Sequence, residues 1–232
     1  MKLKDIFNHF IDLLYPNLCL VCDENLLQHE KQVCLLCINN FPKTNYHLQK
    51  NNLVEKRFWG KVKIERASSF LFFQKGSDFQ KLIHELKYRG NQEVGVEMGK
   101  MSAVELLNSE EFMSVDLIVP VPLHFKKKAK RGYNQSDLLV KGMAEIMSKP
   151  YDLRNLYRKT ESTTQTRKSV YERYENTRGI FGVRSPEKFN GKHILLVDDV
   201  LTTGSTLEAC AQALAEECED VKISVFTLAV AI

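Results

Sequence analysis

The chain reads as an α/β protein: a mainly parallel sheet with helices on both faces, preceded by a small cysteine module. Three observations predict this. From Ala67 onward, short apolar strand candidates alternate with amphipathic helix candidates, the pattern of a parallel sheet whose crossovers are helices. Ile194 to Leu207 reads Ile-Leu-Leu-Val-Asp-Asp-Val-Leu-Thr-Thr-Gly-Ser-Thr-Leu: a buried strand, two acids, a hydroxyl-rich turn and the start of a helix. Near the amino end, Cys19, Cys22, Cys34 and Cys37 form two Cys-x2-Cys hooks separated by eleven residues.

A chain of 232 residues has room for one medium domain and a small module. The expected division is an amino-terminal helix and cysteine module or hood over residues 1–55, and the main domain over 56–232. With 44% hydrophobic residues a true core can form. No apolar run is long enough to span a bilayer. The opening segment, interrupted by Asp5, His9 and Asp12, is no secretory signal, so a cytoplasmic protein is expected. Within it, Ile6, Phe7, Phe10, Ile11 and Leu14 share one helical face, which suits docking on the protein's own body. The net charge is +4, unevenly placed: residues 120–178 hold 14 Lys and Arg against 6 Asp and Glu. That concentration implies an anionic partner, pyrophosphate or nucleic acid.

Two short Cys-x2-Cys hooks can fold four thiolates around a tetrahedral metal, and structural Zn2+ is the expected occupant. Disulfides explain the pattern less well in a cytoplasmic chain. Four thiolates close the coordination shell, so no catalytic role is assigned. Cys210 and Cys218 fall on the inner face of a helix and read as core residues.

The elements follow in order. Residues 39–52 are polar and read as a linker. Residues 67–73 are an apolar, aromatic strand. Phe79, Leu82, Ile83 and Leu86 form the inner face of a helix that stops near Gly90, and a second helix runs from Gln92 to about Leu107. A short strand at 117–121 ends around Pro120. A basic loop, Pro122-Leu-His-Phe-Lys-Lys-Lys-Ala-Lys-Arg-Gly-Tyr-Asn-Gln, leads to a helix over 134–148. A strand over 152–157, a mobile polar loop over 160–178, a strand near 180–183, the strand at Ile194, its helix and a final strand over 222–229 complete the chain. Ligands of such sheets sit at the carboxyl ends of the strands, where the loops after Pro122, Thr160 and Asp198 would converge.

The Ile194 segment carries the chemistry. Asp198 and Asp199 can accept hydrogen bonds from the diol of a ribose. The amides and hydroxyls of Thr202, Thr203, Gly204, Ser205 and Thr206 can wrap a 5'-phosphate at the positive end of a helix, capped by Ser205 or Thr206. No Lys follows the glycine, so the turn is not a Walker loop.

The cysteine module, Leu117-Ile-Val-Pro-Val-Pro-Leu-His, Arg131-Gly-Tyr-Asn-Gln, Gln165-Thr, residues 176–181 and residues 194–207 together resemble the ComF family, phosphoribosyltransferase-like proteins linked to competence for DNA uptake. The resemblance implies a type I phosphoribosyltransferase fold with a zinc-finger hood. It also implies binding of phosphoribosyl pyrophosphate (PRPP) with Mg2+, and a role in handling single-stranded DNA beside a helicase. By position, Asp198 and Asp199 would hold the ribose diol, with Arg131 joining them in catalysis, and Thr202 to Thr206 the 5'-phosphate. His124, Lys126, Lys127, Lys128 and Arg131 would meet pyrophosphate, with Lys87 and Arg89 reaching the same anion. Arg167, Lys168 and Arg173 would belong to a closing lid. Thr202 stands where purine-salvage enzymes carry an acid, a departure that counts against purine salvage.

Three readings stay open. The protein transfers ribose 5-phosphate from PRPP to an acceptor; or it binds PRPP or a nucleotide as a regulatory ligand while binding single-stranded DNA or a helicase; or it is an inactive scaffold whose zinc module docks a partner. For the second, Phe125, Tyr133, Tyr157, Tyr171 and Tyr174 are candidate stacking aromatics among the charges.

Overall fold

The computed structural model describes residues 17–74, 76–88, 90–159 and 179–231. The expected amphipathic segment before Asn17, Arg89, the lid residues Arg167, Lys168 and Arg173, and Tyr171 and Tyr174 lie outside the described residues.

Four strands, β1 (Ala67–Phe73), β2 (Leu117–Pro120), β5 (His193–Leu201) and β6 (Lys222–Ala231), form one sheet in the order β1-β6-β5-β2. Every pairing in it is parallel. A separate antiparallel ribbon joins β3 (Leu156–Arg158) to β4 (Phe181–Val183). The helices are α1 (Leu35–Asn39), α2 (Leu53–Lys56), α3 (Gln80–Tyr88), α4 (Gln92–Leu106), α5 (Glu110–Met113), α6 (Phe125–Arg131), α7 (Gln135–Met147) and α8 (Ser205–Glu217). No helix among the described residues is long and apolar enough to cross a membrane.

The central strands are apolar on both sides because both sides are covered. Leu195 and Val197 of β5 point into one core with Leu86 of α3, Met98 of α4 and Leu139 and Met143 of α7. Ile194 and Leu196 point into the other, with Leu207, Cys210 and Leu214 of α8 and Leu156 and Phe181 of the ribbon. The helices α4 and α7 touch backbone to backbone, so close that a Cβ at Gly142 would collide with the Val96 carbonyl oxygen. The cysteine module belongs to the first core: Cys19, Val21, Cys34 and Cys37 are buried with Phe41, Phe70 and Leu82. Polar ties hold it to α3 and α4, with Lys81 Nζ donating to Val21 O (3.0 Å) and Lys31 paired with Glu97 (2.9 Å). The expected linker is ordered: Asn52, 6% exposed, donates from Nδ2 to Ala67 O at 2.9 Å and accepts from the amides of Val54 and Glu55.

Four expectations are corrected. The basic loop contains α6, begun by His124 Nδ1 accepting from the Lys126 amide and ended by Gly132 at φ +82°. The strand at Ile194 continues to Leu201 because β6 pairs with it as far as Val230, so the two aspartates lie within the strand. The strands around 152–157 and 180–183 pair with each other in a ribbon of their own, and among the described residues only a bridge at Tyr151 and Asp152 touches Ile118 of the main sheet. At the start of α8 the cap position is Gly204, with no side-chain cap, in place of Ser205 or Thr206.

Candidate functional site

At the carboxyl edge of the sheet, β2, β5, α3, α6, α7 and β3 enclose a cavity of about 210 Å3. Its walls carry two carboxylates, Asp198 and Asp199, among five basic side chains, Lys87, His124, Lys127, Arg131 and Arg158, and Thr206 also lines it.

The aspartates differ in environment although adjacent in sequence. Asp198 accepts from Ser136 Oγ at 3.1 Å and from the Asp199 amide at 2.9 Å. Burial first, and then the neighbouring Asp199 charge, push its carboxyl up to about 7; the two hydrogen bonds and the charge of Lys87 pull the other way. Asp199 is held by Lys87, Nζ to Oδ2 2.9 Å, with the two side chains only 20% and 16% exposed. Lys87 stands in the last turn of α3, so that helix carries a counter-ion to the β5 acids.

Arg131 ends α6, and its Nη1 donates to Gln135 Oε1 at 2.7 Å across the left-handed turn at Gly132. Asn134 fastens the start of α7 to the end of β2 through Nδ2 to Val121 O at 3.0 Å. These contacts bring His124, Lys127 and Arg131 into one cavity with Asp198 of β5.

The turn after β5 leaves Thr202, Thr203, Ser205 and Thr206 exposed and Gly204 buried at φ +85°. Thr203 Oγ1 and Ser205 Oγ lie 3.0 Å apart. The cap residue Gly204 offers no side chain, and the first amide of α8, Ser205 N, donates to Thr203 Oγ1 at 3.4 Å, so a helix N-terminus and hydroxyls share one turn, the arrangement that suits a phosphate. The segment after α2 covers the same turn: a carbon added at Gly204 would meet Phe58 Cε1 at 3.7 Å and Arg57 Cβ at 3.8 Å.

Of the anticipated site residues, Lys87, His124, Lys127, Arg131, Asp198, Asp199 and Thr206 meet in the cavity, while Thr202, Thr203, Gly204 and Ser205 do not line it. Lys126 and Lys128 are exposed on α6 away from the cavity walls; Lys126 Nζ sits 5.9 Å over the Phe125 ring. Tyr133 is engaged with the protein itself, its hydroxyl donating to Leu86 O at 2.8 Å, and Tyr157 lies under the Arg184 guanidinium at 4.5 Å. Ser136, Gln135, Arg158 and Arg57 were not anticipated. Gln135 closes the Arg131-Gly-Tyr-Asn-Gln run, a signal that could have found it. Arg158 and Arg57 arrive through tertiary contacts and leave no trace in spacing.

Away from the cavity, the Sγ atoms of Cys19, Cys22, Cys34 and Cys37 all lie within 4.8 Å of one another, close enough to hold a metal ion. Tetrahedral Zn2+–thiolate bonds of about 2.3 Å put sulfurs about 3.8 Å apart; Cys22 and Cys34 are at 3.7 Å. Burial works to raise the Cys19 thiol, but amides of Cys22, Cys34 and Val21 donating to the sulfur bring it down to about 7. Burial and the crowding of the other sulfurs push Cys37 far up. Four such sulfurs ionise together only around a cation.

Residues 129–229 match the phosphoribosyl transferase domain family. The chain is 33% identical to DNA utilization protein YhgH of Escherichia coli K12 over 136 residues, covering 57% of this chain and 59% of that protein. It is 37% identical to competence protein F of Haemophilus influenzae over 101 residues, 43% of this chain and 44% of that one. Competence protein ComFC of Bacillus subtilis aligns over 93% of this chain and 95% of its own length at 26% identity. The match to the first of these spans about three-fifths of that relative's length.

Proposed function

We propose, for a chain similar to competence proteins and matching a phosphoribosyl transferase domain over residues 129–229, that the carboxyl-edge cavity binds PRPP with Mg2+ and that ribose 5-phosphate is transferred to an acceptor with release of pyrophosphate. The observation that carries this is the meeting of Asp198 and Asp199 with Lys87, Arg131 and Arg158 in one cavity that Thr206, in the first turn of α8, also lines.

The bond between ribose C1 and the pyrophosphate oxygen breaks as the acceptor arrives, so positive charge grows on the sugar and negative charge on the leaving group. Asp198 and Asp199 accept from the ribose hydroxyls and face the growing positive charge. Arg131, Lys127, His124 and Arg158 face the departing anion, where preorganised donors act most strongly. The 5'-phosphate lies on the amides of α8 and the hydroxyls of Thr202, Thr203, Ser205 and Thr206. Adjacent carboxylates beside a phosphate cavity fit Mg2+, which Asp198 and Asp199 would hold and which neutralises pyrophosphate when bound. Zn2+ in the four-cysteine cluster is structural.

A second reading has its own observation. Two exposed aromatic rings carry lysines beside the site: Trp59 (58% exposed) with Lys56 Nζ at 5.9 Å, next to the Phe58 that covers Gly204, and Phe125 (55% exposed), stacked on His124 at 4.7 Å. Such units suit the bases of single-stranded DNA, in keeping with the names of the relatives, and a helicase partner in DNA uptake belongs to this reading. One set of measurements tests both. PRPP and Mg2+ with a panel of nucleobases and single-stranded oligonucleotides should release pyrophosphate with one acceptor, and Asp199→Ala should abolish PRPP binding in calorimetry. Equal PRPP affinity in Asp199→Ala and wild type would refute the site. Oligonucleotide binding should weaken steeply with added salt; no binding at low salt removes the nucleic-acid reading.

A further inference from the structure

Gln135 is 1% exposed, lines the cavity, and opens α7. Its Oε1 accepts from Arg131 Nη1 at 2.7 Å, which settles the orientation of the amide: a guanidinium has no acceptor, so oxygen must face it. Its Nε2 is therefore turned to the other side, where it is buried and has no hydrogen-bond partner among the described residues. Buried amides in a settled core find partners. A glutamine that gives its oxygen to a cationic wall residue of the cavity while its own buried amide nitrogen goes unmet is poorly explained by stability.

We propose that Gln135 is a positioning residue for the anion subsite: through its Oε1 it aims the Arg131 guanidinium at the leaving-group oxygens. The Arg131 guanidinium is then held at the cavity wall by a neutral acceptor that leaves its charge intact. Glutamate at the same place would hold the fork equally well but cancel the charge the anion needs. This inference rests on the reading of the cavity as a PRPP and pyrophosphate site.

The test measures binding of inorganic pyrophosphate and of PRPP with Mg2+ by calorimetry, and thermal stability, for wild type, Gln135→Met, Gln135→Glu, Arg131→Met and the double variant Arg131→Met/Gln135→Met. Gln135→Met removes the unmet donor and should melt no lower than wild type while binding pyrophosphate about tenfold more weakly or worse, the size of one charge-assisted hydrogen bond. Gln135→Glu should also lose affinity while staying folded. In the Arg131→Met background the added Gln135→Met change should cost little more, because it acts through Arg131. Wild-type affinity in Gln135→Met, a melting loss that tracks the affinity loss, or fully additive effects in the double variant would each overturn the inference while leaving the PRPP site standing. Failure of the wild type to bind either ligand would overturn the reading beneath it, and the inference with it.

Discussion

Asp198 is the residue whose chemistry the fold works hardest to change. Burial and the Asp199 charge raise its carboxyl to about 7, well above the value of a free aspartate. The folded state therefore holds a proton on Asp198 that the unfolded chain gives up near pH 4. The stability that this proton brings is complete below about pH 4 and is lost as pH rises through 7. Above that, the native protein carries two neighbouring carboxylates whose only ion-pair partner among the described residues is Lys87, on Asp199. Asp198→Asn keeps an oxygen for Ser136 and the Asp199 amide but removes the charge. It is expected to raise stability by roughly 2–4 kcal/mol at pH 8 and to leave it unchanged near pH 4, while abolishing PRPP binding. Chemical denaturation at the two pH values reads the first effect and calorimetry the second. A gain of equal size at both pH values would mean that folding does not raise the Asp198 carboxyl above its unfolded value. Stability given up at a charged site is a common cost of function.

Among elements, the turn between β5 and α8 is the one whose backbone dictates its residue. Gly204 adopts φ +85°, yet the nearest atoms to an added side-chain carbon stand at 3.6 Å or more. Substitution is therefore costly through conformation and not through collision. Gly204→Ala should lose about 1 kcal/mol, a melting shift of about 2–4 °C for a chain of this size. Gly191 also has a positive φ, +68°, and open space around it, but lies at the opposite end of β5. Gly191→Ala should lower stability similarly and leave PRPP affinity intact, whereas Gly204→Ala should weaken PRPP binding by more than its stability loss. Equal PRPP affinity in both variants would show that the turn holds no phosphate. The same element explains what was legible beforehand. Its strand, acids, glycine and helix are local, and local order is what sequence displays. The helix α6 was hidden because Phe125 to Arg131 has no buried residue and hence no apolar period; a histidine cap and a left-handed glycine stop define it instead. The ribbon β3–β4 was hidden because its strands are short and pair across a long sequence gap. Arg158, on that ribbon, reaches the cavity only by that pairing.

For the whole molecule, the cysteine module is continuous with the core and only secondarily a hood. Cys19, Cys34 and Cys37 are buried beside Phe41, Phe70 and Leu82, and Lys81 of α3 donates to the Val21 carbonyl between the first two cysteines. At its far end the same helix carries Lys87 into the cavity. Four thiolates within 4.8 Å of one another, three of them buried, repel without a cation between them, so loss of metal should loosen the flank against which α3 packs. The expected result is one Zn2+ per chain by elemental analysis. Stripping it with a strong chelator should make four thiols reactive to an exposed-thiol reagent, with Cys210 and Cys218 protected until global unfolding. Melting temperature should fall sharply, and pyrophosphate affinity should fall with it, because α3 no longer holds Lys87 against β5. If the metal-free protein melted as before, the cluster would be an appendage. If it melted lower but bound pyrophosphate unchanged, the module would stabilise the core without reaching the site, and the helix linking them would transmit nothing.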